Sequence, residues 1–529
     1  MVMIYENREM ASLSMLLVLL LGSSTVVHTG KLLVVPMDGS HWVTTQAVAQ
    51  KMGQRGHTVV VVIPQVSMRL GPTKHCTTRT YPVPYGQDLI DRLQAQQASH
   101  MNRSEPFLEK VSRKLKGIGN LVNFLTTTSE SLLYNKEVIS YLQDQQFDAV
   151  LTDPVVPTGA ILAEHLSVPF VFLLRGIPCG LDFAAMPCPS PPSFAPRFFT
   201  LNTDHMSFCQ RVLNVLVSFL EPLLCRILYQ PFDSIASQVL QREVTVAEIF
   251  SHASMWLMRF DFTFEFPRPL MPNMVLVGGI NCAVRKPLPQ ELEEFVEESE
   301  HGFVVFTLGS MVSEMPKEMA TQFSEAFRQI PQRVVWRHTG PLPDNLPDNV
   351  KILKWLPQND LLGHPKAKAF ITHGGTHGIY EAICNGIPLV MLPLFGDQSD
   401  NVNRMVYRGV GESLKILDVT TAKLLTTLNK VINDKSYKEK MMKLSAVHKD
   451  RPIEPLDLAV FWTEFVMRHK GAGHLRTAAH ELNWIQYHCL DVIGLLLLII
   501  ATVVIVTVKC CTFCFRKCCA RKTLKKKEE

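Results

Sequence analysis

What this chain lacks narrows its chemistry before any motif is read. Its 529 residues contain no Asp-x-Asp pair of the kind that grips a divalent metal, and no Gly-x-Ser-x-Gly turn that would expose a serine nucleophile. Of the 13 cysteines, those in the body run from Cys76 to Cys489 without a close Cys-x-x-Cys pair, which argues against a zinc site. Disulfides stay open, because pairing cannot be read from one sequence. A basic surface is missing too. The net charge of +5 comes from a tail in which Lys509, Arg516, Lys517, Arg521, Lys522, Lys525, Lys526 and Lys527 crowd together. The body is near neutral, which excludes a nucleic-acid partner.

What is present begins with 47% hydrophobic residues, enough for two domains and a membrane anchor. Leu13 to Leu21 is apolar and is followed by Gly22-Ser23-Ser24-Thr25, so residues 1–29 read as a signal peptide. Glu6, Arg8 and Glu9 deprive it of the usual positive start, and initiation at Met10 would give a more ordinary signal. Val492 to Val508, between Asp491 and Lys509, reads as one transmembrane helix (491–508) with a cytosolic basic tail (509–529). Together they predict a single-pass type I protein with a luminal body. The shortness of the span suits the thin membrane of the endoplasmic reticulum, and Lys526-Lys527 reads as a dilysine retrieval signal. Asn102-Arg103-Ser104 is a glycosylation sequon.

The body alternates strand and helix twice, which predicts an α/β fold with two Rossmann-like domains. The first, 30–280, opens on the strand Lys31 to Pro36 and a helix from Thr44 to Arg55, with later strands His57 to Ile63, Phe147 to Asp153 and Pro169 to Leu174. A Pro-rich, acidic linker is expected at 281–300. The second, 301–450, starts at the strand Gly302 to Ser310, and 451–490 holds a further helix from Pro452 to Lys470 and a juxtamembrane stretch. Leu181 to Leu240, rich in Phe, Pro and Leu, reads as a helical insertion, buried rather than touching lipid.

One block carries most of the chemistry, WLPQNDLLGHPKAKAFITHGGTHGIYEAICNGIPLVMLPLFGDQ from Trp355 to Gln398. A glycine-rich bend (His373-Gly374-Gly375) between a strand and a helix starting near Thr376 is a natural phosphate site, with free N–H groups and the helix dipole aimed at the anion. Trp355 offers a stacking surface for a base, Gln358 and Glu381 offer contacts for ribose, and Asp397 and Gln398 can hydrogen-bond further hydroxyls. Ser310, Gly375, Thr376, His377 and Gly378 complete the candidate phosphate region with His373. The whole describes a cradle for a nucleotide joined to a sugar.

This block resembles the donor motif of the UDP-glycosyltransferases, and closely that of the UDP-glucuronosyltransferases. The likeness runs from the first strand through RPIEPLDLAVFWTEFVMRHKGAGHLR to the basic tail. HGGTHG and HKGAGHLR are similar to the phenol- and bilirubin-conjugating branch. The resemblance implies the GT-B architecture, two facing domains with the last luminal helix crossing back to the first. It implies UDP-glucuronate as co-substrate, no cofactor and no metal, a small lipophilic acceptor, contact with membrane lipid, and association with like or related chains. It also implies a catalytic His41 and Asp153, which follow the first strand and end the strand Phe147 to Asp153, and an Arg259 that reaches the pyrophosphate. An imidazole with pKa near 6.5 suits a base for an attacking oxygen, and a carboxylate behind it fixes the tautomer. Asp38 is a rival carboxylate, and Arg259 could equally be a surface cation beside Asp261. The donor could also be UDP-glucose, UDP-xylose or UDP-N-acetylglucosamine. A non-catalytic regulatory subunit or a lipid carrier would be rivals of another class.

Overall fold

The computed structural model describes residues 29–99, 107–176, 185–282 and 285–525. The expected signal segment through residue 28, the Asn102 sequon and Lys526-Lys527 lie outside the described residues. Two compact units are present, one ending at Leu475 and one beginning at Arg476.

The first unit contains two parallel sheets. Seven strands form one: β1 (Lys31–Val35), β2 (Thr58–Pro64), β3 (Thr77–Tyr81), β4 (Ala149–Thr152), β5 (Phe170–Leu174), β6 (Met255–Met258) and β7 (Met274–Leu276), in the order β3-β2-β1-β4-β5-β6-β7. The other has β8 (Phe303–Thr307), β9 (Arg333–Arg337), β10 (Val350–Leu353), β11 (Ala367–Thr372), β12 (Leu389–Met391) and β13 (Gly411–Ser413), in the order β10-β9-β8-β11-β12-β13. Runs such as TVVVVIP and FVVFT are apolar at nearly every position because helices cover both faces of a parallel sheet. Alternate residues then serve different cores. Leu33 and Val35 point into one cluster, and Leu32 and Val34 into another.

Each sheet reverses its strand order once, between β1 and β4 in the first lobe and between β8 and β11 in the second. Doubly wound sheets leave a crevice at that point, beyond the carboxyl ends of the strands. The helix Pro455–His469 crosses back onto the first lobe, burying Ala459, Val460, Val466 and Met467 against the helix Ser40–Gln54 and β4, β5 and β6. Its buried Glu464 sits 3.0 Å from His57 and 2.7 Å from Arg55.

The lobes are fastened at several places. Arg404 pairs with Glu265 at 2.8 Å, His448 with Asp261 at 2.5 Å, and the Asp261 N–H donates to Tyr380 Oη at 2.7 Å. A disulfide joins Cys282 to Cys384 across 102 residues of chain. Residues 281–300 are more than a linker, because the helix Gln290–Glu297 within them buries Leu292 and Val296.

Two expectations need correction. The first helix of the body begins at Ser40 rather than Thr44, which puts His41 in its opening turn. In the insertion, the helix Phe208–Leu240 buries Asn214 near its start and then Cys225, Tyr229, Phe232, Ile235 and Ala236, most of them in its second half. The stretch from Phe208 to Ile227 exposes Phe208, Leu216, Phe219, Leu220, Leu223 and Ile227. The apolar composition was read as burial, whereas most of it faces outward.

In the second unit, one continuous helix runs from Leu490 to Lys525. Its portion Leu490–Lys517 is long and apolar enough to cross a membrane, as is Phe208–Leu240 by composition and length. Helix continues beyond Val508 into the basic tail, so the boundary expected there is one of composition only.

Candidate active site

The crevice holds a cavity of about 580 Å³, and every residue singled out from the sequence as catalytic or donor-binding lines it. From the first lobe come the ends of β1, β4 and β6. Asp153 follows β4 directly and is buried, and His41 is on the helix after the neighbouring β1. Their side chains meet, with His41 Nδ1 2.6 Å from Asp153 Oδ2. A carboxylate can only accept, so Nδ1 carries the proton and the lone pair is on Nε2. Burial alone would raise the Asp153 carboxyl. The His41 imidazole, the Val155 N–H and the nearby Arg259 charge outweigh it and hold the group below its ordinary value.

Asp38 does not compete for His41. Its carboxylate accepts from the N–H groups of Gly39, Met68 and Arg69 at 2.6, 2.6 and 3.0 Å, clamping two loops together. Nor is Arg259 a surface cation. It follows β6, is 7% exposed, and donates through Nη1 to Thr44 Oγ1 at 2.6 Å and His377 Nε2 at 3.0 Å. Its Nε has no hydrogen-bond partner among the described residues. Burial lowers the guanidinium to about 10, which leaves it charged at neutral pH. A buried cation without a bonded carboxylate invites an anionic ligand.

In the second lobe the glycine bend behaves as the sequence predicts. Gly374 has φ +83°, and a Cβ there would meet Val402 at 2.5 Å, so smallness alone would not suffice. Gly309, at φ +89° after β8, lies so close to the His373 ring that any side chain would displace it. The helix Thr376–Asn385 starts at Gly375 with no side chain capping its first turn, which leaves that end open to an anion. Thr376, Gly378 and Ser310 stand around it. Burial pushes His373 down to about 4, so it is neutral and offers a hydrogen bond rather than a charge. His377 is held well below its ordinary value by burial and by Arg259, and its Nε2 accepts from Arg259 with the Thr44 hydroxyl 2.9 Å away.

Trp355 is beyond the end of β10 and 56% exposed, not packed in a core strand. The guanidinium of Arg69, from the first lobe, stands 4.7 Å from its ring centroid, and that of Arg337 stands 5.1 Å away. Gln358 Nε2 donates to Glu381 at 2.5 Å. Burial raises Glu381 to about 7. Gln398 spends its side-chain oxygen on the N–H groups of Leu394 and Phe395, at 2.8 and 3.1 Å, which leaves its amide nitrogen as a donor. Asp397 pairs with Arg175 at 2.6 Å and accepts from Asn401 at 2.5 Å.

Four side chains of the site went unnoticed in the sequence: Thr44, Arg69, Arg175 and Arg337. Arg175 carried a usable signal, since it is the charge directly after the apolar strand β5, as Arg259 is after β6. The acceptor side is apolar, with Met37, Val62, Leu121, Phe124, Leu125 and Val156, plus Tyr85, whose hydroxyl is 2.8 Å from Thr128.

Two parallel sheets facing across a crevice make up the GT-B architecture. Solved structures agree in fold: a kitacinnamycin glycotransferase (TM-score 0.57, 16% identity, 83% of this chain and all of that one) and a Polygonum tinctorium UDP-glucosyltransferase capable of glucosylating indoxyl (TM-score 0.55, 16% identity, 84% of this chain and all of that one). The chain belongs to the UDP-glucoronosyl and UDP-glucosyl transferase family, whose model matches residues 30–526. Among curated relatives it is 52% identical to human UDP-glucuronosyltransferase 1A3 over 97% of this chain and 96% of that protein. It is 51% identical to rat UDP-glucuronosyltransferase 1A1 over 95% and 94%, and 53% identical to rabbit UDP-glucuronosyltransferase 1A4 over 94% of each.

Proposed function

We propose that the protein transfers glucuronic acid from UDP-glucuronate to a hydroxyl of a small lipophilic acceptor, with inversion at the anomeric carbon. The acceptor lies against the apolar wall with its hydroxyl at His41 Nε2. That nitrogen takes the proton as the oxygen attacks C1, and the bond from C1 to the β-phosphate oxygen breaks on the opposite face. Asp153 keeps the proton on Nδ1 before the reaction and stabilises the imidazolium formed by it. UDP departs as an anion, met by Arg259, the open first turn of the helix Thr376–Asn385, Thr376, Ser310 and the neutral donors His373 and Gln398. Trp355 stacks on uracil, Gln358 and Glu381 hold the ribose, and Asp397 and Gln398 hold sugar hydroxyls.

The observation that supports this most is the 2.6 Å His41–Asp153 contact, on the wall of the same cavity as the glycine bend. A regulatory subunit would gain nothing from an oriented imidazole there. Membranes bearing the full chain, incubated with labelled UDP-glucuronate and a simple phenol, should form a labelled β-glucuronide. Formation of a glucoside from UDP-glucose at a higher kcat/KM, or no product from either donor, would refute the reading.

Glu381 adds a pH dependence. To accept from two ribose hydroxyls its carboxyl must be ionised, yet burial raises it to about 7. Donor affinity should therefore be full above pH 7 and weaken by up to tenfold per unit as pH falls below that value. Titration calorimetry with UDP between pH 5.5 and 8.5 checks this, and Glu381→Gln should flatten the curve.

We further propose residence in the endoplasmic reticulum membrane, with the catalytic body luminal, supported by the candidate anchor helix and the basic tail after it. Changing Lys526 and Lys527 to Ser should release a fraction of the protein to the cell surface, measured by surface biotinylation. Complete retention would count against the dilysine signal.

A further inference from the structure

We propose that Arg175 reads the carboxylate of the transferred sugar, and so selects a uronate over a neutral hexose. The inference rests on the glucuronate reading above. Arg175 stands one residue past β5 in the first lobe, and its Nη1 reaches across the crevice to within 2.6 Å of Asp397 Oδ1 in the second. Asp397 is nearly sealed, and its other oxygen accepts from Asn401. Arg175 keeps 34% of its side chain open and lines the cavity.

The argument is one of adjacency on the sugar ring. In the function proposed above, Asp397 holds hydroxyls of the transferred ring, and beside the C4 hydroxyl that ring carries its C5 substituent. In glucuronate that substituent is a carboxylate, and in glucose a hydroxymethyl group. A carboxylate beside the C4 oxygen falls next to whatever flanks Asp397 on the cavity side, and that neighbour is a guanidinium. Five N–H groups in one plane allow Arg175 to keep one edge on Asp397 and offer the other to a second carboxylate.

The other cations on the cavity wall are engaged elsewhere. Arg259, held by Thr44 and His377, is assigned above to the pyrophosphate, and Arg69 and Arg337 lie on the Trp355 ring. With the donor absent, Arg175 balances the buried Asp397 charge. With it bound, Arg175 balances both carboxylates, whereas a hydroxymethyl group would offer it only a neutral oxygen.

The test compares kcat/KM for UDP-glucuronate and for UDP-glucose with one phenol, in membranes bearing the full chain or Arg175→Gln, alongside UDP binding. The glucuronate-to-glucose ratio should fall by roughly tenfold to a hundredfold, mainly through KM for UDP-glucuronate, as expected for losing a charge-assisted contact. UDP affinity should stay within about twofold, since UDP carries no sugar. Arg175→Lys keeps a charge for Asp397 but loses the fork, and its ratio should fall by a smaller factor, about threefold. It is the variant to read if Arg175→Gln does not fold. An unchanged ratio in a variant that binds UDP overturns the proposal, as does an equal loss with both donors and UDP. A wild-type chain that prefers UDP-glucose would instead refute the proposed function itself.

Discussion

Replacing His41 by alanine is expected to lower kcat on a simple phenol by roughly 10²- to 10⁴-fold, the range for losing a positioned general base. UDP affinity should be nearly unchanged, because the imidazole bonds Asp153 and brings no hydrogen-bond donor to the phosphates. A cavity-lining histidine that merely packed would behave differently. Its loss would cost stability without separating turnover from binding. Asp153→Asn should follow the same direction while leaving the ring in place, since an amide that donates to Nδ1 would favour the tautomer with its proton on Nε2. Stopped assays with a phenol, together with UDP calorimetry on each variant, check both statements.

Arg259→Met is expected to act on the opposite quantity. Its guanidinium is buried, charged, and lacks a bonded carboxylate, held only by the neutral groups of Thr44 and His377. A pyrophosphate would satisfy it. Removing it should weaken UDP binding by roughly tenfold to a hundredfold, the worth of one or two hydrogen bonds to a charged partner. It should also free the His377 imidazole from the neighbouring cation that helps keep it neutral. Arg259→Lys should restore only part of the affinity, because the three donors of one ammonium nitrogen do not span the separated positions that the planar guanidinium fork reaches. UDP binding within twofold of wild type in Arg259→Met would remove Arg259 from the donor site.

The sheets were legible because parallel strands covered on both faces must be apolar throughout, and segments such as Thr58–Pro64 and Phe303–Thr307 have no other reading as short, β-branched or aromatic runs. The glycine bend was legible because its chemistry is local. The start of the first body helix was not. Gly39, at φ +77° and without a capping side chain, gives none of the usual Ser, Thr or Asp signal, so the four residues carrying His41 read as loop. The insertion failed for a different reason. Phe, Leu and Val on Phe208–Leu240 say that water is disfavoured, but not whether protein or something else replaces it. Contacts between lobes were invisible for a third reason. Arg175 with Asp397, Arg69 with Trp355 and Cys282 with Cys384 are joined only by the meeting of the two sheets, and no spacing along the chain marks them.

The role given to His41 is tested most directly by varying the acidity of the acceptor. A base is needed only while the acceptor still holds its proton at the moment of attack. Across phenols whose pKa ranges from about 10 down to below the assay pH, the loss caused by His41→Ala should shrink steadily, and for phenols already ionised it should nearly vanish. An equal loss for every phenol would mean that His41 supports the site in some way other than accepting the proton.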